Sequence, residues 1–166
     1  MLDQLYRELI LDHYRRPRGA EPIPSPDRRA EGQNPLCGDE CSVALRLAGD
    51  RVAQVEFRGH GCSISVASGS MMAQEVPGRT VEEARRLQRA LRDLLQGKGA
   101  PPGLDLGDLE ALEGVAQFPV RVKCALLAWT TLLEALERPA AAGGRKATTE
   151  APGEDPAAAR SRDGGA

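Results

Sequence analysis

Aromatic side chains are scarce: two Phe, two Tyr and one Trp in 166 residues. A core must therefore be built mainly from Leu, Val and Ala. Long apolar runs are absent too. No stretch approaches the roughly eighteen consecutive apolar residues of a membrane-spanning helix, so such a helix is excluded. A basic excess is also lacking. Twenty-two Lys and Arg against twenty-four Asp and Glu give a net charge of −2, which argues against nucleic acid as a partner. Met1 to Tyr14 carries acids and bases among its leucines, with no signal-peptide core and no cleavage site, so a cytoplasmic location is expected. The cysteines are four: Cys37, Cys41, Cys62 and Cys124. In a cytoplasmic chain of this size they suggest metal binding or thiol chemistry rather than a disulfide framework.

What is present is an ordinary globular mix, 41% apolar and 28% charged in 17.7 kDa, the size of one domain. Leu2, Leu5, Tyr6, Leu9 and Ile10 fall at helical spacing, and Pro17 ends a helix over 2–15. Residues 17–36 hold five prolines and little periodicity and read as a loop. Ser42 to Leu47 and Arg51 to Arg58 alternate around Gly49-Asp50, which predicts a β-hairpin. A helix is expected from Cys62 to Val76, with Met71-Met72 as core. Thr80 with Glu83 forms a capping box that opens a second helix to about Gln96. Residues 97–107 are a Gly/Pro loop, and Asp108 is placed to cap a short helix to Glu113. Pro119 suits the first turn of a last helix to about Arg138. From Pro139 no apolar period survives, so 139–166 reads as a disordered tail. Helix, hairpin, then helices is an α+β order.

The chemistry-bearing residues come from three segments. Cys37-Gly38-Asp39 ends the loop; in an extended segment its thiolate and carboxylate would point to one side. Cys62 follows Gly59-His60-Gly61 at a helix start, where unpaired N–H groups favour a thiolate. Cys124 follows Arg121 and Lys123, whose charges do the same. Three thiolates and one carboxylate form a closed four-ligand set for Zn²⁺. The spacing is not that of a zinc finger, so the residues alone leave three unrelated buried cysteines open as well.

These segments carry a resemblance. Leu5-Tyr6-Arg7 through Leu11-Asp12-His13-Tyr14 and Pro17-Arg18 match a family N-terminal helix. Asn34-Pro35-Leu36-Cys37-Gly38-Asp39 and Gly59-His60-Gly61-Cys62-Ser63-Ile64-Ser65, with Ala67-Ser68 through Met71-Met72, match its first two metal motifs. Leu106-Gly107-Asp108-Leu109 to Gly114-Val115 and Phe118-Pro119-Val120-Arg121-Val122-Lys123-Cys124 match the third. The chain thereby resembles the SufU branch of the IscU-like (NifU N-terminal-like) iron–sulfur cluster assembly family. The resemblance implies a domain over 1–138 with a small three-stranded antiparallel sheet and helices packed on one side. IscU-type scaffolds have a His directly before the last Cys, where this chain has Lys123. SufU-type members carry extra sequence before that motif, as residues 96–114 do here.

That branch is associated with a tightly bound zinc and with sulfur from a cysteine desulfurase, SufS-like, passed to downstream iron–sulfur assembly proteins. The implied metal ligands are Cys37, Asp39, Cys62 and Cys124. Cys37, in a Pro/Gly-flanked loop, is the expected reactive thiol, displaced from zinc by a desulfurase ligand and then attacking its persulfide. Arg121 is expected to hold the freed thiolate or to pair with Asp39. The alternatives are a scaffold on which the same ligands bind iron or a [2Fe–2S] cluster, and a structural zinc module. Cys41 reads as a packed strand cysteine, with a resolving thiol or substitute ligand as the sharper alternative. His60 reads as an exposed loop residue, and His13 as a packing or partner-facing one. Arg15, Arg16 and Arg18 read equally as a solvated cluster and as a desulfurase contact.

Overall fold

The computed structural model describes residues 2–138 and 147–148. The alternating segments form the expected hairpin. Strands β2 (Asp39–Ala48) and β3 (Arg51–His60) pair antiparallel, with Val43 opposite Phe57 and Leu45 opposite Val55. All four side chains are buried on one face, because alternate strand residues share a side. β2 starts earlier than the alternation suggested, at Asp39.

Strand β1 (Arg28–Asn34) pairs antiparallel with β2, from Arg28 opposite Leu45 to Asn34 opposite Asp39. This corrects the expectation of a loop throughout 17–36. The strand lacks the branched and aromatic residues that usually mark one. Its buried positions are Ala30, Gly32 and Asn34, small or polar because helix α4 (Pro119–Glu137) packs against it. A Cβ on Gly32 would overlap Thr131 Oγ1 of α4, so a larger side chain would push the helix off the sheet. Strand β4 (Ala147–Thr148) lies parallel to β1, and the sheet order is β3-β2-β1-β4. The three-stranded antiparallel sheet of the resemblance is thus present, with two further residues at its edge. The rest of the expected disordered tail, 139–146 and 149–166, lies outside the described residues.

Helices α2 (Ser63–Glu75) and α4 cover one face of the sheet. α2 is buried from Ser65 through Ala73, and Met71 and Met72 are core residues. A helix wrapped by neighbours shows no apolar stripe. Helix α3 (Val81–Leu95) is the opposite case. Thr80 Oγ1 accepts the Glu83 N–H at 3.0 Å, the N-cap half of the expected capping box, and donates to the Glu83 carboxylate at 3.1 Å. Its Leu87, Leu91, Leu94 and Leu95 are buried, each stabilising the fold by about 1.5–3 kcal/mol. On the other sheet face, Glu56 accepts the Ile23 N–H at 2.7 Å and holds the chain before β1 in place. No helix among the described residues is long and apolar enough to cross a membrane.

Helix α1 (Leu2–Arg15) meets α2 and a 3₁₀ helix over Gly107–Gln117. The expectation of a short helix capped by Asp108 is corrected: the 3₁₀ helix is longer and has no side-chain cap. The Asp108 side chain reaches elsewhere. Its Oδ2 accepts from His13 Nε2 at 2.8 Å and from Gln74 Nε2 at 2.9 Å. His13 Nδ1 lies 2.7 Å from Ser70 Oγ, which also accepts the Arg18 N–H at 2.8 Å. His13 is the one buried side chain of α1 among those described, so a polar staple fastens this helix to two others.

Burial alone would raise the Asp108 carboxyl, but hydrogen bonds from His13 and Gln74 outweigh it and hold it below the usual carboxylate range. A depressed carboxylate stabilises the fold above its unfolded value near pH 4 and loses that contribution as pH falls further. His13→Ala should cost about 2–3 kcal/mol, because Asp108 and Ser70 each lose one polar partner. Urea denaturation at pH 7 measures this; a change under about 0.5 kcal/mol, the size of an ordinary surface substitution, would show that the staple is not structural.

Candidate metal centre

Three chain segments converge at one end of the sheet. Cys37 sits in the turn between β1 and β2, where its amide and that of Gly38 donate to the Asn34 carbonyl at 3.2 and 2.9 Å. The segment is therefore not extended, and strand alternation does not align Cys37 with Asp39. The turn does so by curling back over the start of β2. Asp39 is buried, 1% exposed. Its Oδ1 accepts the Cys62 N–H at 2.9 Å, and its Oδ2 lies 3.8 Å from Cys62 Sγ. Gly61 makes this possible, since a Cβ there would overlap Asp39 Oδ1. Cys62 is the N-cap of α2, and its sulfur accepts the Ser65 N–H at 3.4 Å. Cys124 lies in the second turn of α4, with Sγ 3.6 Å from Cys37 Sγ and 3.5 Å from the Val120 carbonyl.

Donor atoms of Cys37, Asp39 and Cys124 all lie within 4.8 Å of one another, the one such group among the described residues. Cys62 stands outside that compact group and reaches it through Asp39. Two sulfurs on one tetrahedral zinc, each about 2.3 Å from the metal, would be about 3.7 Å apart. The Cys37–Cys124 separation of 3.6 Å matches this. The electrostatics agree. The Cys124 thiol is pushed well above its ordinary value, first by burial and then by Asp39, Cys37 and the charge on Cys62. A dication reverses that cost, because coordination deprotonates a thiol outright. The donor set thus fits a thiolate-binding divalent ion. Arg121 is exposed; the charge on Cys62 and hydrogen bonding toward Cys124 keep its guanidinium more firmly protonated than usual.

The remaining candidates lie elsewhere. Cys41 shares the inner face of β2 with Asp39, but its thiol donates to Thr131 Oγ1 at 3.4 Å. Burial pushes it up to about 11, so it is a packed strand cysteine. His60 is exposed at the end of β3, and His13 is in the staple to α2. Arg16 and Arg18 both pair with Asp12, at 2.8 and 3.0 Å. Sequence reasoning gave no role to Asn34, whose Nδ2 donates to Cys37 Sγ at 3.6 Å; its only signal was its place in the Asn34–Asp39 motif. It also passed over exposed Leu36, Phe118 and Val120, which flank Cys37 and precede Cys124.

The sequence profile of the NifU-like N-terminal domain matches residues 5–138. The zinc-dependent sulfurtransferase SufU of Bacillus subtilis is 44% identical over 131 residues, 79% of this chain and 88% of that protein. The iron–sulfur cluster assembly scaffold protein IscU of Streptococcus pyogenes is 39% identical over 139 residues, 84% of this chain and 87% of that one. The structure of FiSufU from Fervidobacterium islandicum AW-1 superposes with a TM-score of 0.74 at 34% identity, over 81% of this chain and 98% of that one.

Two outcomes follow from the geometry. Gly61→Ala displaces the Asp39 carboxylate and should weaken zinc affinity about 10–100-fold, the range for disturbed supports of a metal ligand; competition with a chromophoric chelator reads it. With a thiol value of about 11, only about one Cys41 in a thousand is a thiolate at pH 8. Iodoacetamide should then modify Cys37 in the folded metal-free protein and spare Cys41. Comparable labelling of Cys41 would refute its assignment as packed.

Proposed function

The chain belongs to the NifU-like N-terminal domain family, and we propose that it serves iron–sulfur cluster assembly as a zinc-dependent acceptor of persulfide sulfur. The donor would be a cysteine desulfurase, and downstream assembly proteins would take the sulfur on. The observation that carries this reading is the unequal footing of the four donors. Asp39, Cys62 and Cys124 stand on a strand, a helix cap and a helix, whereas Cys37 stands on a half-buried turn. Identity to the zinc-dependent sulfurtransferase SufU supports it, as does Lys123 beside Cys124, since a protonated amine is no ligand.

In this reading Cys37, Asp39, Cys62 and Cys124 hold the zinc. Bound there, the ion keeps the thiols deprotonated near neutral pH and restrains their nucleophilicity. Three thiolates and a carboxylate on a dication leave a charge of about −2, and Arg121 and Lys123 supply compensating cations. Cys37 is the donor that moves. Its thiolate attacks the outer sulfur of the desulfurase's Cys–S–SH, and a new S–S bond forms. The old S–S bond breaks, its electron pair leaves with the desulfurase cysteine as thiolate, and the proton stays on the transferred sulfur. Arg121, beside Cys62 and Cys124, steadies the exposed negative charge. Leu36, Phe118 and Val120, all more than half exposed, offer apolar contact to a docked partner.

A second reading is a scaffold holding iron with the same thiolates, favoured by the identity to IscU of Streptococcus pyogenes. Turnover of the cognate desulfurase under excess reductant separates the two. Zinc-loaded protein should stimulate turnover by at least about tenfold, roughly 1.4 kcal/mol of barrier, and Cys37→Ala should abolish the gain. No stimulation by folded, loaded protein would sink the acceptor reading and favour the scaffold, or a purely structural zinc.

A further inference from the structure

Cys37 lies on a turn rather than on a helix or strand, and Cys124 Sγ donates to its sulfur at 3.6 Å. A second residue holds both the turn and the sulfur. Asn34 is buried, 1% exposed, at the last position of β1. Its carbonyl accepts the amides of both Cys37 and Gly38, at 3.2 and 2.9 Å. Its side-chain Oδ1 accepts the Leu36 N–H at 3.3 Å, and its Nδ2 donates to Cys37 Sγ at 3.6 Å. The two ends of one carboxamide thus do different things: the oxygen shapes the turn, and the nitrogen holds the sulfur. The register places Asn34 directly opposite Asp39, so the residue that aims Cys37 is anchored to the strand that carries another donor.

We propose that Asn34 is a positioning residue: its carboxamide holds the Cys37 sulfur inward and restrains its reactivity until a partner draws it out. A hydrogen bond donated to a thiolate stabilises the charge and lowers the energy of the lone pair that must attack. A Cβ built on Gly38 meets nothing within 4 Å, so there is open space beside the turn into which Cys37 can move, and Asn34 sets how readily it does so. This rests on the reading of Cys37 as the sulfur acceptor, but its test does not need a desulfurase.

The test uses the zinc-loaded full chain and measures iodoacetamide labelling of each cysteine by peptide mass spectrometry. Asn34→Asp keeps the acceptor for the Leu36 amide, loses the donor to sulfur and adds a repelling charge. Asn34→Ala removes both bonds. Both variants should label Cys37 about tenfold faster than the natural chain or more, the scale of a lost hydrogen bond to a charged group. Cys62 and Cys124 should label at unchanged rates. Unchanged Cys37 labelling in a folded variant would overturn the proposal, and so would equal acceleration of all three cysteines, which signals general loosening. Should neither variant fold, the natural chain loaded with ¹¹³Cd²⁺ decides. A scalar coupling from the Asn34 side-chain amide proton to cadmium through the Cys37 sulfur is expected, and its absence would overturn the proposal. If Asn34 passes these tests while the desulfurase shows no stimulation, the sulfur-acceptor reading fails and the positioning role stands.

Discussion

The hydrogen bond from the Cys62 amide to Asp39 Oδ1, 2.9 Å long, is the constraint on which the rest of the site depends. It joins the first residue of β2 to the cap of α2. One carboxylate oxygen is thereby committed to the backbone, while the other faces Cys62 at 3.8 Å. The carboxylate is buried, and a buried charge is tolerated only with partners. One partner is the N-terminus of α2, whose free N–H groups favour an anion. Gly61 leaves room for the approach.

The charge pattern is one that a bound cation would relieve. Burial and neighbouring anions push the Cys124 thiol up, so without a cation the donors resist simultaneous ionisation. Coordination inverts this preference. Cys41, two residues beyond Asp39 on the same strand face, shows the contrast. It is equally a buried cysteine, but it faces Thr131 rather than other donors. Burial of thiols is common; what distinguishes the site is that several donors lie close together.

The helices are not simply a covering layer. α4 carries Cys124 and packs against β1, and it can approach that strand closely because Gly32 offers no side chain to Thr131. The 3₁₀ helix that precedes α4 is tied through Asp108 to His13 of α1 and Gln74 of α2. The extra sequence ahead of the last cysteine is thus built into the fold, and α1 is fastened by Tyr6, Leu9 and Ile10 against the core and by a histidine with a polar partner at each ring nitrogen.

The hairpin, the N-cap of α3, the Pro119 start of α4 and the three donors Cys37, Asp39 and Cys124 that the structure gathers were all legible in the sequence, each through a local rule. Alternation marks Val43 and Leu45, Thr80 and Glu83 are three apart, and the motifs around Cys37, Cys62 and Cys124 stand in the chain as written. β1 was not legible, because a strand facing a close helix carries Ala30, Gly32 and Asn34 inward and shows no apolar period. Nor was the destination of Asp108, since a carboxylate that could cap a helix is drawn instead to a histidine 95 positions away. The residue types of the candidate centre were set by the sequence alone, because thiolate and carboxylate chemistry does not depend on the fold. Which donors stand on rigid elements, which one rides a turn, and that Asn34 holds it were decided by the tertiary structure. Those properties come from contacts between segments far apart in the chain, and no local pattern encodes them.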